Sequence, residues 1–432
     1  MTGIVLFGIF VALMVLGVPI GVAMGLAATV AIGLANMDAM WFGLLAVPQN
    51  FYASLGKYPL LALPMFVLVG TIFERSGVAA RLVNLMVAIL GRGPGILPVV
   101  AILVAMMLGG ISGSGPATAA AVGGVMIAAM TRAGYQPSFS ASVIGAASAI
   151  DILIPPSIAL IVYSVLVPGA SVPAMFAGGM LPGIMFGIAL MIPAYILSRR
   201  HKMGLSESHE PRPPLGKSFK EAVWGLAAPV LILGGMRAGL FTPTEAAVVA
   251  VFYGLFVGMV IYRTIRLNDL FSILRDSSEL SAIILLVVGL AGVFAYSLST
   301  LGIIDPVTRA IVGSGLGEYG ILVLLLLLLV LVGMVLDGVS IFLIFVPLLM
   351  PIAMHFQWDL VWFGVILTVM VAIGQFTPPI AVNLMVSCRI AMVPLEKTVG
   401  WVMWLLLASF LVLLLLIVFP EIVLWLPDRL GY

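Results

Sequence analysis

Gly110-Ile-Ser112-Gly-Ser114-Gly-Pro116-Ala-Thr118 is a run of small and polar residues set between two membrane-grade apolar segments. Further on, Asp151-Ile-Leu-Ile-Pro155-Pro156-Ser157 puts a tandem proline in the middle of another apolar run. Lipid offers no water to free N–H and C=O groups, so a broken helix at membrane depth survives only inside protein or facing a wet cavity. Two such breaks between Gly109 and Ser157 therefore mark a site.

Working outward, the same pattern returns in the second half. Pro378-Pro379 follows Gly374-Gln375-Phe-Thr377, and matching the two proline pairs sets an offset of 223 positions (Pro155 to Pro378). That offset also carries Gly110 to Gly333, Gly115 to Gly338, Tyr135 to Trp358 and Ser164 to Ser387, and it lands Ser114-Gly115 on Asp337-Gly338. Paired Gly/Pro-interrupted apolar segments in two halves point to a transporter's binding site. The expected fold is an all-α polytopic membrane protein with two repeats, each a re-entrant helical hairpin followed by a Pro-Pro broken helix. Repetition is read directly; inversion of one repeat relative to the other is an expectation.

Composition agrees. The chain has 432 residues, 63% hydrophobic and 8% charged, with mean hydropathy +1.29; a soluble domain carries about a quarter charged residues. The first basic residue is Lys57, which argues against a cleaved signal peptide. One cysteine, Cys388, excludes an internal disulfide and a multi-cysteine metal site, and reads as a packing residue. Three histidines, His201, His209 and His355, do not support haem or zinc. The net charge of +2 gives no sign of nucleic acid. Arg199, Arg200, Lys202, Arg212, Lys217, Lys220, then Arg263, Arg266 and Arg275 concentrate in two loops, which the positive-inside rule places in the cytoplasm.

Along the chain, Gly3 to Ala35 is apolar with a bend or turn expected at Gly17 and Pro19. Met40 to Leu55, with Trp41, Phe42, Phe51 and Tyr52, suits an interfacial helix. Tyr58 to Phe73 is a short span, and Arg81 to Arg92 an amphipathic segment. Ile96 to Leu108 and Ala117 to Met130 are each too short for a full crossing and form a hairpin closed at Arg132 to Tyr135. Pro173 to Leu197 is a full span; Lys217 to Glu221 and Arg266 to Glu279 read as amphipathic cytoplasmic arms.

A cation stripped of water at mid-membrane needs replacement oxygens, which unwound backbone and Ser, Thr, Asn or Asp side chains supply. Ser112, Ser114 and Thr118, facing Pro155, Pro156 and Ser157, form one candidate set; Asp337, Gly338 and Ser340, facing Gln375, Thr377 and Asn383, form the other. Gly113, Gly115, Gly374, Pro378 and Pro379 complete the candidate ion- and substrate-binding positions. Asp337 is the leading acid, because a carboxylate in so apolar a segment costs at least about 2.5–3.5 kcal/mol unless paired or ligated; capping of a half-helix is a compatible reading. Asp151 is a second acid beside a break, where capping is also open to it. Helix N-termini at the breaks offer N–H groups to an anion. Glu245 reads as a helix-capping acid, and Arg389 as either an anion contact or a residue reaching for the interface. Gly110-Ile-Ser112-Gly113 also fits a rhomboid-type protease pattern. The only histidine near the membrane segments, His355, has interfacial neighbours, and a nucleophile needs its base within hydrogen-bond reach.

Phe73-Glu-Arg-Ser-Gly77, Gly110-Ile-Ser-Gly-Ser-Gly115, Ile154-Pro-Pro-Ser-Ile158, Phe241-Thr-Pro-Thr-Glu245 and Gly374-Gln-Phe-Thr-Pro-Pro379 resemble the large membrane subunit of the tripartite ATP-independent periplasmic (TRAP) transporters, in order and spacing over nearly the whole chain. The resemblance implies an elevator-type secondary transporter in the bacterial inner membrane that imports an organic acid (a C4-dicarboxylate, sialic acid or similar carboxylate) with sodium as coupling ion and no other cofactor. It implies a periplasmic substrate-binding protein and a small four-helix membrane subunit, a separate chain here, as partners alongside membrane lipid. Carried over by position, sodium would sit at Ser112, Ser114, Pro155 and Pro156, and at Asp337, Gly338, Gly374 and Thr377; Pro116 departs from the usual small polar or aliphatic residue. The implied division is scaffold 1–94, transport repeat 95–172, scaffold with arms 173–280, a link 281–320, transport repeat 321–398 and a C-terminal helix 399–432. A stand-alone cation-coupled carboxylate transporter of related fold, and more remotely a non-transporting membrane scaffold subunit, are the alternatives.

Overall fold

The computed structural model describes residues 2–91, 93–205 and 212–432; Arg92, His209 and the side chains of Trp41 and Phe42 lie outside the described residues. It is helical throughout, and seven helices among the described residues are long and apolar enough to cross a membrane.

Helices α1 (Thr2–Val15) and α2 (Ile20–Ala35) are separated at Gly17, whose φ of +82° turns the chain. Helix α3 (Met40–Leu55) is followed by the span formed by a 3-10 turn and α4 (Ala62–Arg75). Helix α5 (Val78–Leu90) buries Val78, Leu82, Leu85 and Met86, so the segment read as amphipathic is a packed helix.

Hairpin 1 is α6 (Ile96–Ser112) and α7 (Gly115–Arg132), followed by the broken pair α8 (Pro137–Ser148) and α9 (Ile158–Leu166). Helices α10 (Val172–Arg200), α11 (Leu215–Arg237), α12 (Pro243–Phe256) and α13 (Leu267–Thr300) follow. The charged segments read as separate arms are the first turns of α11 and α13, each one continuous helix. With 34 residues α13 is about 51 Å long against a hydrocarbon layer of about 30 Å, and the boundary expected between 280 and 281 falls inside it. Capping acids can open a long helix as readily as a separate arm: Asp269 accepts a hydrogen bond from the Arg266 N–H at 2.8 Å. Likewise Thr242 and Glu245 form a reciprocal capping box at the start of α12.

After α14 (Ile304–Val312), hairpin 2 is α15 (Gly317–Gly333) and α16 (Gly338–His355), and its broken pair is α17 (Leu360–Gly374) and α18 (Val382–Ala391). The boundary expected at 320/321 lies within α15. Helices α19 (Val399–Val418) and α20 (Glu421–Leu430) end the described chain.

The two repeats point in opposite directions. Hairpin 1 has its base where Tyr135 Oη accepts from Gly95 N at 2.9 Å, against Tyr195 near the basic end of α10 and against Gly204. Hairpin 2 has its base where Trp358 Nε1 donates to Glu318 Oε1 at 2.7 Å. Beside it, Tyr163, on the outer part of α9, donates to Leu360 O at 2.8 Å, and Leu360 also packs on Gly169 just before α10 begins. The bases thus lie at opposite ends of α10, and the repeats are inverted.

Lipid tails are as apolar as leucine, so packing here depends on close approach at small residues. Gly21 and Gly25 of α2 receive Val287 and Leu290 of α13, and Gly289 of α13 receives Phe51 of α3. These contacts hold α13 against α2 and α3.

Candidate functional site

Each hairpin tip is made by local chemistry. Gly113 ends α6 in the left-handed region (φ +60°), and Ser114 is extended (φ −132°) before Gly115 and Pro116 start α7, proline being well suited to a first helical turn because it lacks an N–H. At the second tip Asp337 caps α16, accepting from Val339 N at 3.1 Å, Ser340 N at 3.2 Å and the Ser340 hydroxyl. The broken helices fail where prolines cannot donate. Ser157 caps α9 and donates to Ile152 O at 2.7 Å, which commits its hydroxyl to the break itself. Both Pro155-Pro156 and Pro378-Pro379 bonds are cis.

The tips converge on a cavity of about 250 Å³. Gly113 to Pro116 line it from hairpin 1, Asp337 to Ser340 from hairpin 2, and Ile152, Ile158, Ala159, Gln375 and Val382 from the broken helices. Its remaining wall is apolar: Leu280, Ile283, Ile284 and Val287 of α13. Nothing in the sequence signalled that wall, because a lipid-facing and a cavity-facing leucine look alike.

Around this cavity the first candidate set is brought together. Tip and break touch closely: a Cβ on Gly113 would sit 2.9 Å from Pro156 O, and one on Gly110 3.1 Å from Pro155 O, so both proline carbonyls face the hairpin. Ser112 Oγ donates to Asp151 Oδ2 at 2.9 Å and lies 3.0 Å from Thr118 Oγ1. Asp151 is fully buried and caps no helix; its Oδ1 has no hydrogen-bond partner. Gly109, which the sequence reading passed over, makes room for it: a Cβ there would meet Asp151 Oδ1 at 2.8 Å.

In the second set Asn383 Nδ2 donates to Gln375 Oε1 at 3.2 Å, and buried Asn383 Oδ1 has no partner. Asn383 also crosses between the halves, since a Cβ on Gly115 of hairpin 1 would lie 2.6 Å from its amide. Thr377, in the break, instead donates to Ile373 O of the preceding helix at 2.6 Å, and Gly374 stacks backbone on backbone against Gly333. Ala381 N donates to Met334 O at 3.1 Å and ties this break to hairpin 2. Arg389 is exposed and away from the cavity lining, and no histidine is among the hydrogen-bond partners of Ser112. His355 meets Phe356 edge-on at the far end of α16.

Inverted repeats whose hairpin tips and broken helices enclose a small polar-edged cavity define a secondary-transporter fold. The solved structure of the Alcanivorax borkumensis YdaH transporter matches 93% of this chain and 98% of its own, with a TM-score of 0.63 at 14% identity, a likeness of fold alone. The family model for the tripartite ATP-independent periplasmic transporter DctM component matches residues 7–422. The chain is 38% identical to the uncharacterised YgiK of Salmonella typhimurium, covering 98% of this chain and 97% of that one. It is 36% identical to the C4-dicarboxylate TRAP transporter large permease DctM of Pseudomonas aeruginosa, covering 87% of each. It is also 35% identical to the isethionate TRAP transporter permease DctMQ of Oleidesulfovibrio alaskensis, covering 97% of this chain and 65% of that longer protein. The chain belongs to the DctM component family of the tripartite ATP-independent periplasmic transporters. It is a multi-pass transport protein, and the relatives of stated role are permeases, not enzymes.

Proposed function

We propose that this chain is the inner-membrane transport subunit of a sodium-coupled, binding-protein-dependent importer of an organic anion. The observation that carries this reading is the cavity shared by both tips and closed by the apolar wall of α13. The residues suit sodium as a co-transported ion. Buried oxygens without partners, Asp151 Oδ1 and Asn383 Oδ1, lie against Gly109 and Gly115 of hairpin 1, where a desolvated cation would satisfy them. Ser112 and Ser114 with the Pro155 and Pro156 carbonyls would hold one ion, and Asp337, Gly338, Gly374 and Thr377 the other. The start of α7, which no side chain caps, would receive the substrate's negative group, whereas Val339 N and Ser340 N at the start of α16 already donate to Asp337.

The substrate class follows from that chemistry, and the relatives named for a C4-dicarboxylate and for isethionate both handle small organic anions. An elevator movement would carry the two repeats, 95–172 and 321–398, past a scaffold that includes α13. A periplasmic binding protein would deliver substrate, and a small membrane subunit would cover exposed apolar scaffold surface; the extra third of the DctMQ relative is consistent with such a subunit. In proteoliposomes containing the full assembly, uptake of the binding protein's ligand should require an inward sodium gradient. Equal uptake in sodium-free buffer would overturn the coupling.

A further inference from the structure

We propose that Asp151 is a positioning residue for the cation at the tip of hairpin 1: it accepts the hydroxyl hydrogen bond of Ser112, so that this oxygen keeps a lone pair for the ion, and supplies the negative charge that this half-site otherwise lacks. The proposal rests on the sodium-coupled reading above.

A serine hydroxyl has one proton and two lone pairs, and it serves a cation only if its proton points elsewhere. Around Ser112 Oγ the structure offers Asp151 Oδ2 at 2.9 Å and Ser114 O at 3.4 Å as acceptors and the Thr118 hydroxyl at 3.0 Å as either donor or acceptor, while Ser114 N donates to it at 3.3 Å. The carboxylate is both the nearest acceptor and the charged one, so it receives the hydroxyl's hydrogen bond. The Ser114 N–H takes one lone pair, and with the Thr118 hydroxyl turning its own proton to another acceptor the second is left for the ion.

The charge argument is independent. Asp151 is wholly buried and enters no ion pair; the ion pairs among the described residues, Arg75 with Asp276 and Lys217 with Glu221, are elsewhere on partly exposed side chains. A buried carboxylate with one oxygen unpartnered is costly, and a cation bound beside it would offset that cost. The other ligands of this half-site are hydroxyls and backbone carbonyls, all neutral. The repeat supports the assignment: at the offset of 223 Asp151 matches Gly374, and the acid of the second half sits instead at the tip, where Asp337 matches Ser114. Each half-site thus has one carboxylate, and a serine at the tip donates to each. Gly109 keeps the space for it.

The test uses purified full-length protein and thermal unfolding against sodium concentration, with choline as the control cation, alongside sodium-dependent uptake. Asp151→Asn keeps volume and an acceptor oxygen but removes the charge, and should raise the half-saturating sodium concentration roughly ten-fold or more, as removal of an outer partner of a metal ligand does. Unfolding in choline should stay unchanged or rise. Adding Ser112→Ala to Asp151→Asn should cost little more than either alone. An unchanged sodium half-saturation with a lower unfolding temperature in choline would show a structural role and overturn the proposal. If Asp151→Asn does not fold, Gly109→Ala, which displaces the carboxylate without removing it, is read the same way: weaker sodium binding supports the proposal and unchanged binding overturns it. Wild-type protein that shows no sodium effect on unfolding or uptake would instead sink the sodium-coupled reading itself.

Discussion

The two halves of the molecule share a backbone plan and differ in where they put their acid. Helices α7 and α16 match end to end at the offset of 223, as do the starts of α8 and α17. Yet repeat 1 holds its carboxylate behind the tip, sealed at Asp151, whereas repeat 2 places Asp337 on the rim of the cavity as an exposed cap. The hairpin bases show the same exchange. Gly95 and Glu318 are equivalent positions, as are Tyr135 and Trp358, but the aromatic side chain accepts in one clamp and donates in the other. Inversion conserves where contacts fall, and each half then chooses its own donor and acceptor for the environment at its end of the membrane.

The strongest way to break this comparison is at the rim. Asp337→Ala should lower sodium-dependent uptake on the order of 100-fold, a larger loss than for an outer partner. Because the same carboxylate caps α16, about 1 kcal/mol of stability should go with it. Uptake with normal sodium dependence in folded Asp337→Ala protein would leave only the capping role and would make the two acids unequal in function.

Next comes the helix crossing that repeat 1 opens for a carboxylate and repeat 2 closes. A Cβ on Gly374 would lie 2.7 Å from the Gly333 Cα, so backbone must move. Gly374→Ala should cost about 2–3 kcal/mol through overpacking, read as a drop in the unfolding midpoint in detergent. A midpoint within error of wild type would mean that α15 and α17 have slack, and that the two crossings differ less than their residues imply.

Much of this was legible in the sequence because membrane depth penalises every break: the tips, the tandem prolines and the offset follow from Gly110 to Thr118 and its echo at Asp337. The direction of each repeat was not, since periodicity carries no sign along the membrane normal and only contacts such as Tyr135 with Gly95 supply it. Asp337 stood out by its apolar flanks, whereas Asp151 was the weaker candidate, with capping equally open to it, because its burial depends on α6 crossing over it at Gly109, a contact between distant segments. The charged starts of α11 and α13 read as arms because charge near the cytoplasm fits a surface helix and an extended span equally well. The base clamps were within reach: the offset that pairs Tyr135 with Trp358 also pairs Gly95 with Glu318.

Those clamps give the third comparison. Tyr135→Phe leaves the buried Gly95 N–H without its acceptor and should cost about 1–3 kcal/mol. Trp358→Phe releases Glu318, which is exposed and can turn to water, so its loss should be nearer 1 kcal/mol. Unfolding midpoints of the two variants side by side would show the order, and a larger loss for Trp358→Phe would reverse the view that hairpin 1 is the more tightly sealed.

The smallest effect concerns a tether that reaches repeat 1 from outside it. Lys57 Nζ, in the turn between α3 and α4, donates to Val165 O at 2.8 Å near the outer end of α9. At the corresponding end of α18, Met392 and Val393 bond only back to Arg389 and Cys388 of their own helix. An ammonium at a helix C-terminus also meets the negative end of the helix dipole, which adds to the single hydrogen bond. Lys57→Met should therefore loosen the end of α9 by about 1 kcal/mol, equivalent to roughly five-fold faster local opening. Hydrogen exchange is the direct readout: the Val167 amide, which closes α9 by donating to Tyr163 O, should exchange faster, while the amides of Met392 and Val393 keep their rates. Equal acceleration at both ends would mean that the substitution softens the whole protein, and unchanged exchange at Val167 that α9 is held by its own packing.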